Sequence, residues 1–438
     1  MSVDMETSAE TNEQTAQADP AWGQAVPILF RFAFAYLVLY NLPFPLNVIP
    51  GVGIIAQPYS DLWNAFVPWV GSHLFNVQIT YFPAGSGDTT YNYVQVFCFL
   101  ALAAAATLLW TAFDRRRANY ARLHEWLRVY IRFSLAMTMI LYGSVKVIKS
   151  QFPDPPLDRL LQPFGEASPM GLLWTMMGAS LSYNIFTGAA EMLGGLLLTV
   201  RRTTLLGALV CAASMANVAM LNFSFDVPVK LYSLHLLAMA MFLALPDLKR
   251  LANMFILNRA VEPVDSRPLF KRQWLNRSAL VLGTLSVLGF TGFWLYNAYD
   301  NVKTYGSLAP KSPFYGIWNV DEFEVDGEIR PPLVTDDFRW RRVVFDSPRR
   351  LAIQLMDEMR RRYLLKLDSD KKTIEISTFD DPTWKANFSY EQSEPQLLTL
   401  AGTIGDKTVR ARLRRIEMPQ FLLTNRGFHW INELPFNR

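Results

Sequence analysis

The sequence predicts a polytopic α-helical membrane domain followed by an all-β domain. Long apolar blocks recur up to about residue 297, in a chain of 438 residues that is 51% hydrophobic and contains 12 Trp and 30 Phe. After residue 300 these blocks give way to short charged runs in which β-branched and aromatic residues recur. We therefore expect a disordered tail over 1–20, a transmembrane helical domain over 21–299 and an extracytoplasmic β domain over 300–438.

About 20 mostly apolar residues cross a bilayer as a helix, and seven stretches of this kind are present. They lie near 25–44, 91–113, 126–148, 180–200, 203–222, 229–246 and 278–298. Between the first two, the aromatic and amphipathic segment 61–70 is typical of a helix along the membrane surface. The first stretch follows no basic segment, which favours a retained signal anchor over a cleaved signal peptide.

Basic residues are concentrated in alternate loops. Arg115, Arg116 and Arg117 follow the second stretch, Arg201 and Arg202 join the fourth and fifth, and Lys249 and Arg250 follow the sixth. The loop over 45–90 contains neither Lys nor Arg. Because short basic loops stay in the cytoplasm, we expect a cytoplasmic N-terminus and an external β domain. The predicted location is a bacterial-type cytoplasmic (inner) membrane.

Nine short runs separated by turn residues predict antiparallel strands after residue 300. They lie at 316–320, 340–345, 351–355, 363–367, 373–377, 385–390, 397–400, 407–413 and 421–424. The sequence from Leu400 to Leu413 predicts a hairpin. The opening Gly316-Ile-Trp318 is similar to the first strand of lipocalin-like barrels. Because closure removes exposed edges, we expect a small calycin-like barrel of about eight strands rather than an open sandwich.

Two polar segments of the β domain are interpreted structurally. The basic run Arg360-Arg361-Arg362 is read as a solvated face, and 426–433 as a final strand with a glycine bulge. His429 and Glu433 alone do not make a metal site, so none is predicted.

Cysteine and histidine usage excludes several functions. Cys98 and Cys211 lie in apolar stretches without a C-x-x-C motif, which argues against a thiol–disulfide relay and for small buried side chains. Only His235, among four histidines, lies within a predicted span. A haem-bearing oxidase subunit needs several axial ligands, so that function is excluded. Proteins that bind nucleic acid usually carry a stripe of basic residues on a soluble face. The sequence shows no such stripe, so nucleic-acid binding is not predicted.

Ionisable side chains inside apolar helices are costly and mark candidate functional sites. Glu191 lies well inside the fourth span, on a face shared with Gly188 and Gly195 that permits close helix packing. The third and fourth spans run antiparallel, which makes Lys146 the expected partner of Glu191, in either a structural or a functional pair. Arg132, near the cytoplasmic end of the third span, is interpreted as an anchor that extends to the headgroups.

Polar residues also surround the start of the sixth span. Asp226 and Pro228 suit the beginning of a helix, with Asp226 near its N-cap position. Lys230 shares the face of Asp226, and His235 lies about a turn further in, as a hydrogen-bonded structural residue or as a ligand-binding one. The predicted intramembrane polar pocket comprises Tyr142, Lys146, Glu191, Asp226, Lys230 and His235. No catalytic residue is named.

At these residues the chain resembles the DoxX-like family of small four-helix membrane proteins. The matching features are Arg132, the Gly143-x-x-Lys146 pattern, and Glu191 followed by Gly194-Gly195 and an apolar run to Arg201. The resemblance covers about residues 126–246. It implies a four-helix core and an association with quinone-linked oxidoreductase assemblies or membrane redox-stress complexes. The additional helices and the β domain depart from the minimal family pattern.

Three functions follow as hypotheses. The first is a membrane subunit of a quinone-linked redox or redox-stress assembly, in which Lys146, Tyr142 or His235 donates to a quinone and Glu191 exchanges protons. Electrons would come from a redox partner subunit, because the chain has no flavin, haem or iron–sulfur motif. The second is a non-enzymatic membrane-anchored binding or assembly protein that uses the barrel for an apolar ligand or a partner. The third is a membrane enzyme resembling vitamin K-dependent carboxylases, which also join helices to a β-rich outer part.

Overall fold

The computed structural model describes residues 22–437, apart from 50, 82–84, 116, 118, 262–269, 382 and 418–420. The predicted tail over 1–20 lies outside the described residues. The helices are α1 (Ala25–Asn41), α2 (Gly53–Leu74), α3 (Thr90–Phe113), α4 (Ala121–Val147), α5 (Leu157–Leu160), α6 (Pro169–Ala179), α7 (Leu181–Thr199), α8 (Thr204–Ser224), α9 (Lys230–Ala244), α10 (Leu248–Phe255), α11 (Gln273–Tyr305) and α12 (Leu422–Asn425).

All seven predicted spans are helical, as α1, α3, α4, α7, α8, α9 and α11. Four helical stretches among the described residues are long and apolar enough to cross a membrane. They are Thr90–Phe113, Arg201–Ser224, Lys230–Phe255 and Gln273–Tyr305. The helix α4 is less apolar than these, and its charged residues are Arg122, Glu125, Arg128, Arg132 and Lys146.

The predicted surface segment 61–70 is helical and belongs to the longer helix α2. Trp63 and Val67 of α2 are buried against Tyr91 and Phe99 of α3. The helix α3 begins in a capping box, in which the side chain of Thr89 accepts from the backbone N–H of Asn92 and the Asn92 side chain accepts from that of Thr89. The position of α2 at a membrane surface stays a prediction.

The described chain divides into two compact units. The first comprises the described residues of Met1–Ala136, Leu198–Ala212 and Pro228–Pro263. The second comprises those of Met137–Leu197, Ala213–Val227 and Val264–Arg438.

The second unit contains an antiparallel β-barrel. Its strands are β1 (Gly316–Val325), β2 (Glu328–Ile329), β3 (Trp340–Ser347), β4 (Arg350–Leu355), β5 (Arg360–Asp368), β6 (Thr373–Ser377), β7 (Lys385–Glu394), β8 (Leu397–Ile404) and β9 (Lys407–Arg415). Consecutive strands pair from β3 to β9, and β1 pairs with both β3 and β9, so eight strands close. The short β2 pairs only with the end of β1. The predicted eight-stranded barrel is confirmed, as is the hairpin of β8 and β9.

Aromatic side chains fill the barrel interior. Trp340 on β3 and Phe388 on β7 lie with ring centroids 5.7 Å apart. These strands lie opposite each other in the closed order, so the contact crosses the interior. Trp318, Phe323 and Phe345 belong to the same core and are fully buried. The barrel is therefore packed at this level rather than hollow.

Two strand predictions near the C-terminal end are wrong. The run 421–424 lies at the short helix α12, and the described residues of 426–433 form no strand. The physical reason is closure: β9 pairs with both β8 and β1, so no strand edge is left for a further strand.

Candidate functional site

The helices α4 and α7 approach each other closely in the second unit because glycine lies on both sides of the contact. A Cβ atom placed on Gly143 would lie 2.7 Å from the carbonyl oxygen of Gly188. One placed on Gly188 would lie 2.7 Å from the Cβ of Lys146. Both distances are far below van der Waals contact, so larger residues would push the helices apart. The predicted small-residue face on α7 is thus a packing face against α4.

This crossing brings Lys146 to Glu191. The Lys146 ammonium donates to Oε1 of Glu191, as the sequence predicts. The Lys146 residue is 7% exposed and Glu191 1% exposed, so neither reaches the protein surface. Burying two charges carries a large desolvation cost, which the attraction within the pair offsets.

The other oxygen of the same carboxylate is unusual. Among the described residues, Oε2 of Glu191 has no hydrogen-bond partner, although it is buried. Leaving a buried polar atom unsatisfied costs roughly 1–3 kcal/mol, so native proteins seldom do so without a function. The pair therefore keeps unused hydrogen-bonding capacity at one carboxyl oxygen of Glu191 and at the ammonium N–H groups of Lys146 that Glu191 does not accept. Tyr142, the other predicted donor on α4, is partly buried.

The start of α9 differs from the prediction. The helix begins at Lys230, and the capping carboxylate comes from Asp88, which accepts from the backbone N–H groups of Lys230 (2.7 Å) and Leu231 (2.9 Å). Asp88 also pairs with the Lys230 ammonium at 3.9 Å. Asp226 is therefore not the N-cap; its φ of 50° places it in a left-handed turn before the helix. Asp88 is remote in sequence, and only tertiary structure reveals it as the cap.

His235 is held on both ring nitrogens in the first unit. Its Nδ1 donates to the carbonyl of Leu231 (2.6 Å), so its Nε2 accepts from the Tyr36 hydroxyl (2.5 Å). Tyr40 stacks on the imidazole with ring centroids 3.9 Å apart. Of the two interpretations of His235, this geometry supports the hydrogen-bonded structural one.

The six predicted pocket residues are divided between the two units. Lys230 and His235 belong to the first, and Tyr142, Lys146, Glu191 and Asp226 to the second. Of the six, the structure joins Lys146 to Glu191 by a direct ion pair. A single pocket that contains all six stays a prediction.

Arg132 does not extend to the surface as predicted. The residue is only 9% exposed, and its guanidinium donates to the Thr204 hydroxyl at 3.4 Å and lies over the ring of Phe133. Arg31 on α1 is similarly buried, and no pattern in the sequence predicts this. It donates to the hydroxyls of Thr111 (2.9 Å) and Tyr120 (2.7 Å). Side-chain partners on other helices hold both cations inside the first unit.

A second charged cluster attaches α5 to the outside of the barrel. The Asp346 carboxylate on β3 accepts from the backbone N–H groups of Leu157 (2.7 Å) and Asp158 (3.3 Å). Asp158 accepts from Arg362 Nε at 2.6 Å, and its carbonyl accepts from Arg360 at 2.6 Å. Two of the three arginines interpreted as a solvated face are therefore engaged by α5.

Burial makes this cluster responsive to pH. Burial, and then the nearby carboxylate of Asp158, raise the pKa of Asp346 to about 6. Beneath the cluster, Leu157 packs on Ile317, Val344 and Ala352, which explains why β4 is buried on both faces. The sequence signal for this contact was the apolar run Leu351-Ala-Ile353 on β4.

The described residues include no group of three or more His, Cys, Asp or Glu side chains placed to hold a metal ion. Cys98 and Cys211 are buried, as predicted from their apolar surroundings.

Comparison with known proteins gives one informative match. No protein-family model and no solved structure matches the chain. The chain is 32% identical over 144 residues to the uncharacterized protein YwoB of Bacillus subtilis (strain 168), a match that covers 32% of this chain and 87% of YwoB. Most of YwoB is thus similar to a third of this chain. The chain therefore belongs to the family of YwoB.

Proposed function

We propose that the chain is a DoxX-like integral membrane protein and a subunit of a quinone-linked redox or redox-stress assembly. Its ligand site is the polar pocket beside Lys146 and Glu191. The observation that carries the proposal is the buried Glu191 Oε2, which lacks a hydrogen-bond partner among the described residues. An unsatisfied carboxyl oxygen beside a buried ammonium group fits a ligand that both accepts hydrogen bonds and exchanges protons.

The chemistry follows from the two side chains. A bound quinone supplies two-electron chemistry in which reduction to the quinol also consumes two protons. Lys146 has N–H groups beyond the one that it donates to Glu191, and these orient a carbonyl oxygen by donation. Glu191, when protonated, would donate from Oε2 to the same oxygen and supply one of the two protons, and the second proton would come from water. The electrons come from a redox partner subunit.

The proposed membrane placement rests on the helices and the loops. Four helical stretches are long and apolar enough to cross a bilayer, and basic residues are concentrated in alternate loops. We place the N-terminus in the cytoplasm and the barrel outside, at a bacterial-type inner membrane.

The packed interior of the barrel bears on the alternative function, a membrane-anchored binding or assembly protein. Because Trp340 and Phe388 meet across its interior, a ligand inside the barrel is disfavoured. An assembly function would instead use the outer surface of the barrel.

The test is the quinone content of the purified full-length protein. Quinone is extracted with organic solvent and quantified per mole of protein for wild type, Glu191→Gln and Lys146→Met. The matched control is Glu417→Gln, which removes an exposed carboxylate. We expect quinone in wild type and in the control, with a several-fold loss in the two site variants.

Folding is controlled with the double variant Lys146→Met/Glu191→Met, which replaces the pair by apolar side chains of similar length. We expect it to elute as wild type in size-exclusion chromatography yet to contain no quinone. Equal quinone in wild type and Glu191→Gln, or none in any variant, would contradict the proposal.

A further inference from the structure

The short helix α10 is amphipathic. It follows α9 after the turn Leu245–Asp247. Its apolar residues recur at helical spacing on one face, at Leu248, Leu251, Ala252 and Phe255. Lys249, Arg250 and Asn253 lie on the opposite face.

The apolar face of α10 is exposed at both ends. Leu248 is 52% exposed and Phe255 71%, and the next residue, Ile256, is 79% exposed. A soluble protein rarely leaves large apolar side chains clustered in this way unless the surface meets a partner or a membrane. The basic side chains of Lys249 and Arg259 are also exposed.

We infer that α10 and Ile256–Arg259 lie in the bilayer interface and bind anionic lipid headgroups. The apolar face enters the acyl boundary, and Lys249 and Arg259 contact the headgroups. The inference rests on the membrane placement proposed above for α9, and is independent of the quinone site.

Continuity with α9 favours a lipid rather than a protein occupant. The stretch Lys230–Phe255 is apolar enough to cross a membrane. After Lys230, its next charged residues are Asp247, Lys249 and Arg250. These charges mark the level at which the headgroup layer begins. Helices that combine an apolar face with basic residues lie in this layer and bind anionic lipid.

The turn before α10 fixes the direction of the helix. Asp247 pairs with Arg250 at 2.6 Å and with Arg128 of α4 at 3.9 Å. These contacts hold Arg250 at the start of α10, which leaves Lys249 and Arg259 for the headgroups. The arrangement accounts for one carboxylate within an otherwise basic segment.

Spin-label depth measurements on the full-length protein test the inference. Cys98→Ala and Cys211→Ala first remove the native thiols. A label on the apolar face is then attached at Phe255→Cys. The matched control on the polar face is a label at Asn253→Cys. A third label at Leu234→Cys reports on α9 itself. Accessibility to oxygen and to a water-soluble nickel complex is measured in liposomes of phosphatidylcholine with and without phosphatidylglycerol.

We expect the oxygen-to-nickel accessibility ratio at 255 to exceed that at 253 several-fold when phosphatidylglycerol is present, and to fall without it. Equal oxygen-to-nickel ratios at 255 and 253 would overturn the inference. The same ratio at 255 with and without phosphatidylglycerol would also overturn it. Low accessibility of 255 to both reagents would show that protein covers the face, and would also overturn it. If the label at 234 reports water, the membrane placement of α9 fails; if 234 reports lipid and 255 water, only the inference about α10 fails.

Discussion

Glu191 lies on α7 one turn beyond Gly188, and this spacing sets the position of its carboxylate. Gly188 lets the backbone of α4 approach, and Lys146 then lies beside the turn that carries Glu191. The pair was predictable because all the residues concerned fall within two adjacent antiparallel spans. The unsatisfied Oε2 was not predictable, because it depends on every side chain that could have reached it.

The energetics of this pair can be tested by a double-mutant cycle. We expect Glu191→Met alone to lower the free energy of unfolding by about 3–5 kcal/mol, because it leaves the Lys146 ammonium buried without a partner. The double variant Lys146→Met/Glu191→Met is expected to recover most of this loss. Unfolding in detergent micelles, followed by circular dichroism, gives both values. Additive effects of the two single substitutions would contradict the coupling.

At the scale of elements, glycine controls the distance between α4 and α7. We expect Gly188→Ala to destabilise the protein and to weaken the ion pair, since the added methyl group would lie 2.7 Å from the Cβ of Lys146. The control is Gly283→Ala on α11, where a Cβ would meet nothing within 4 Å. Alanine gains about 1 kcal/mol over glycine in a helix, so this control should be neutral or stabilising. Equal thermal stability of the two variants would show that the crossing is not tight.

The attachment of α5 to the barrel is expected to depend on pH. The pKa of Asp346 is raised to about 6 in the folded protein, above the ordinary value for Asp of about 3.9. The folded state therefore binds this proton more tightly than the unfolded state. The stabilisation is complete below the ordinary pKa and is lost as pH rises through about 6.

Thermal unfolding of wild type and Asp346→Asn between pH 4.5 and 7.5 measures this effect. We expect the melting temperature of wild type to fall, relative to the variant, as pH rises through this range. Because other titrating groups change the melting temperature of both proteins alike, the difference between wild type and the variant isolates Asp346. Parallel melting curves for the two proteins would rule out titration of Asp346 in this range.

At the scale of the whole molecule, local sequence patterns predicted the helices and strands. They did not predict the contacts between segments that are far apart in sequence. Short runs rich in β-branched and aromatic residues, separated by turn residues, located β1 and β3–β9, and hydropathy located the seven predicted spans. Asp226 failed as a cap because Asp88, far away in sequence, takes that role. The strand expected at 421–424 failed because barrel closure leaves no strand edge for it. Arg132 failed as a surface group because its partner, Thr204, lies on a distant segment. Arg362 is exposed as predicted, but its ion pair with Asp158 was missed because Asp158 is far away in sequence.

The proposed membrane topology is tested by labelling single cysteines in a background without Cys98 and Cys211. In intact cells, a membrane-impermeant maleimide should label Lys371→Cys in the barrel but not Arg202→Cys in the loop before α8; both native side chains are exposed. Inverted membrane vesicles should give the opposite pattern. Labelling of both positions in intact cells, or of Arg202→Cys alone, would contradict the topology.

The central claim, that Lys146 and Glu191 form a quinone site, is tested most directly by the dissociation constant of a short-chain naphthoquinone. Equilibrium dialysis of the purified full-length protein measures it for wild type and Glu191→Gln. We expect saturable binding to wild type with one ligand per chain, weakened about tenfold or more in the variant, which corresponds to at least about 1.4 kcal/mol. Equal dissociation constants, or binding that does not saturate in wild type, would contradict the claim.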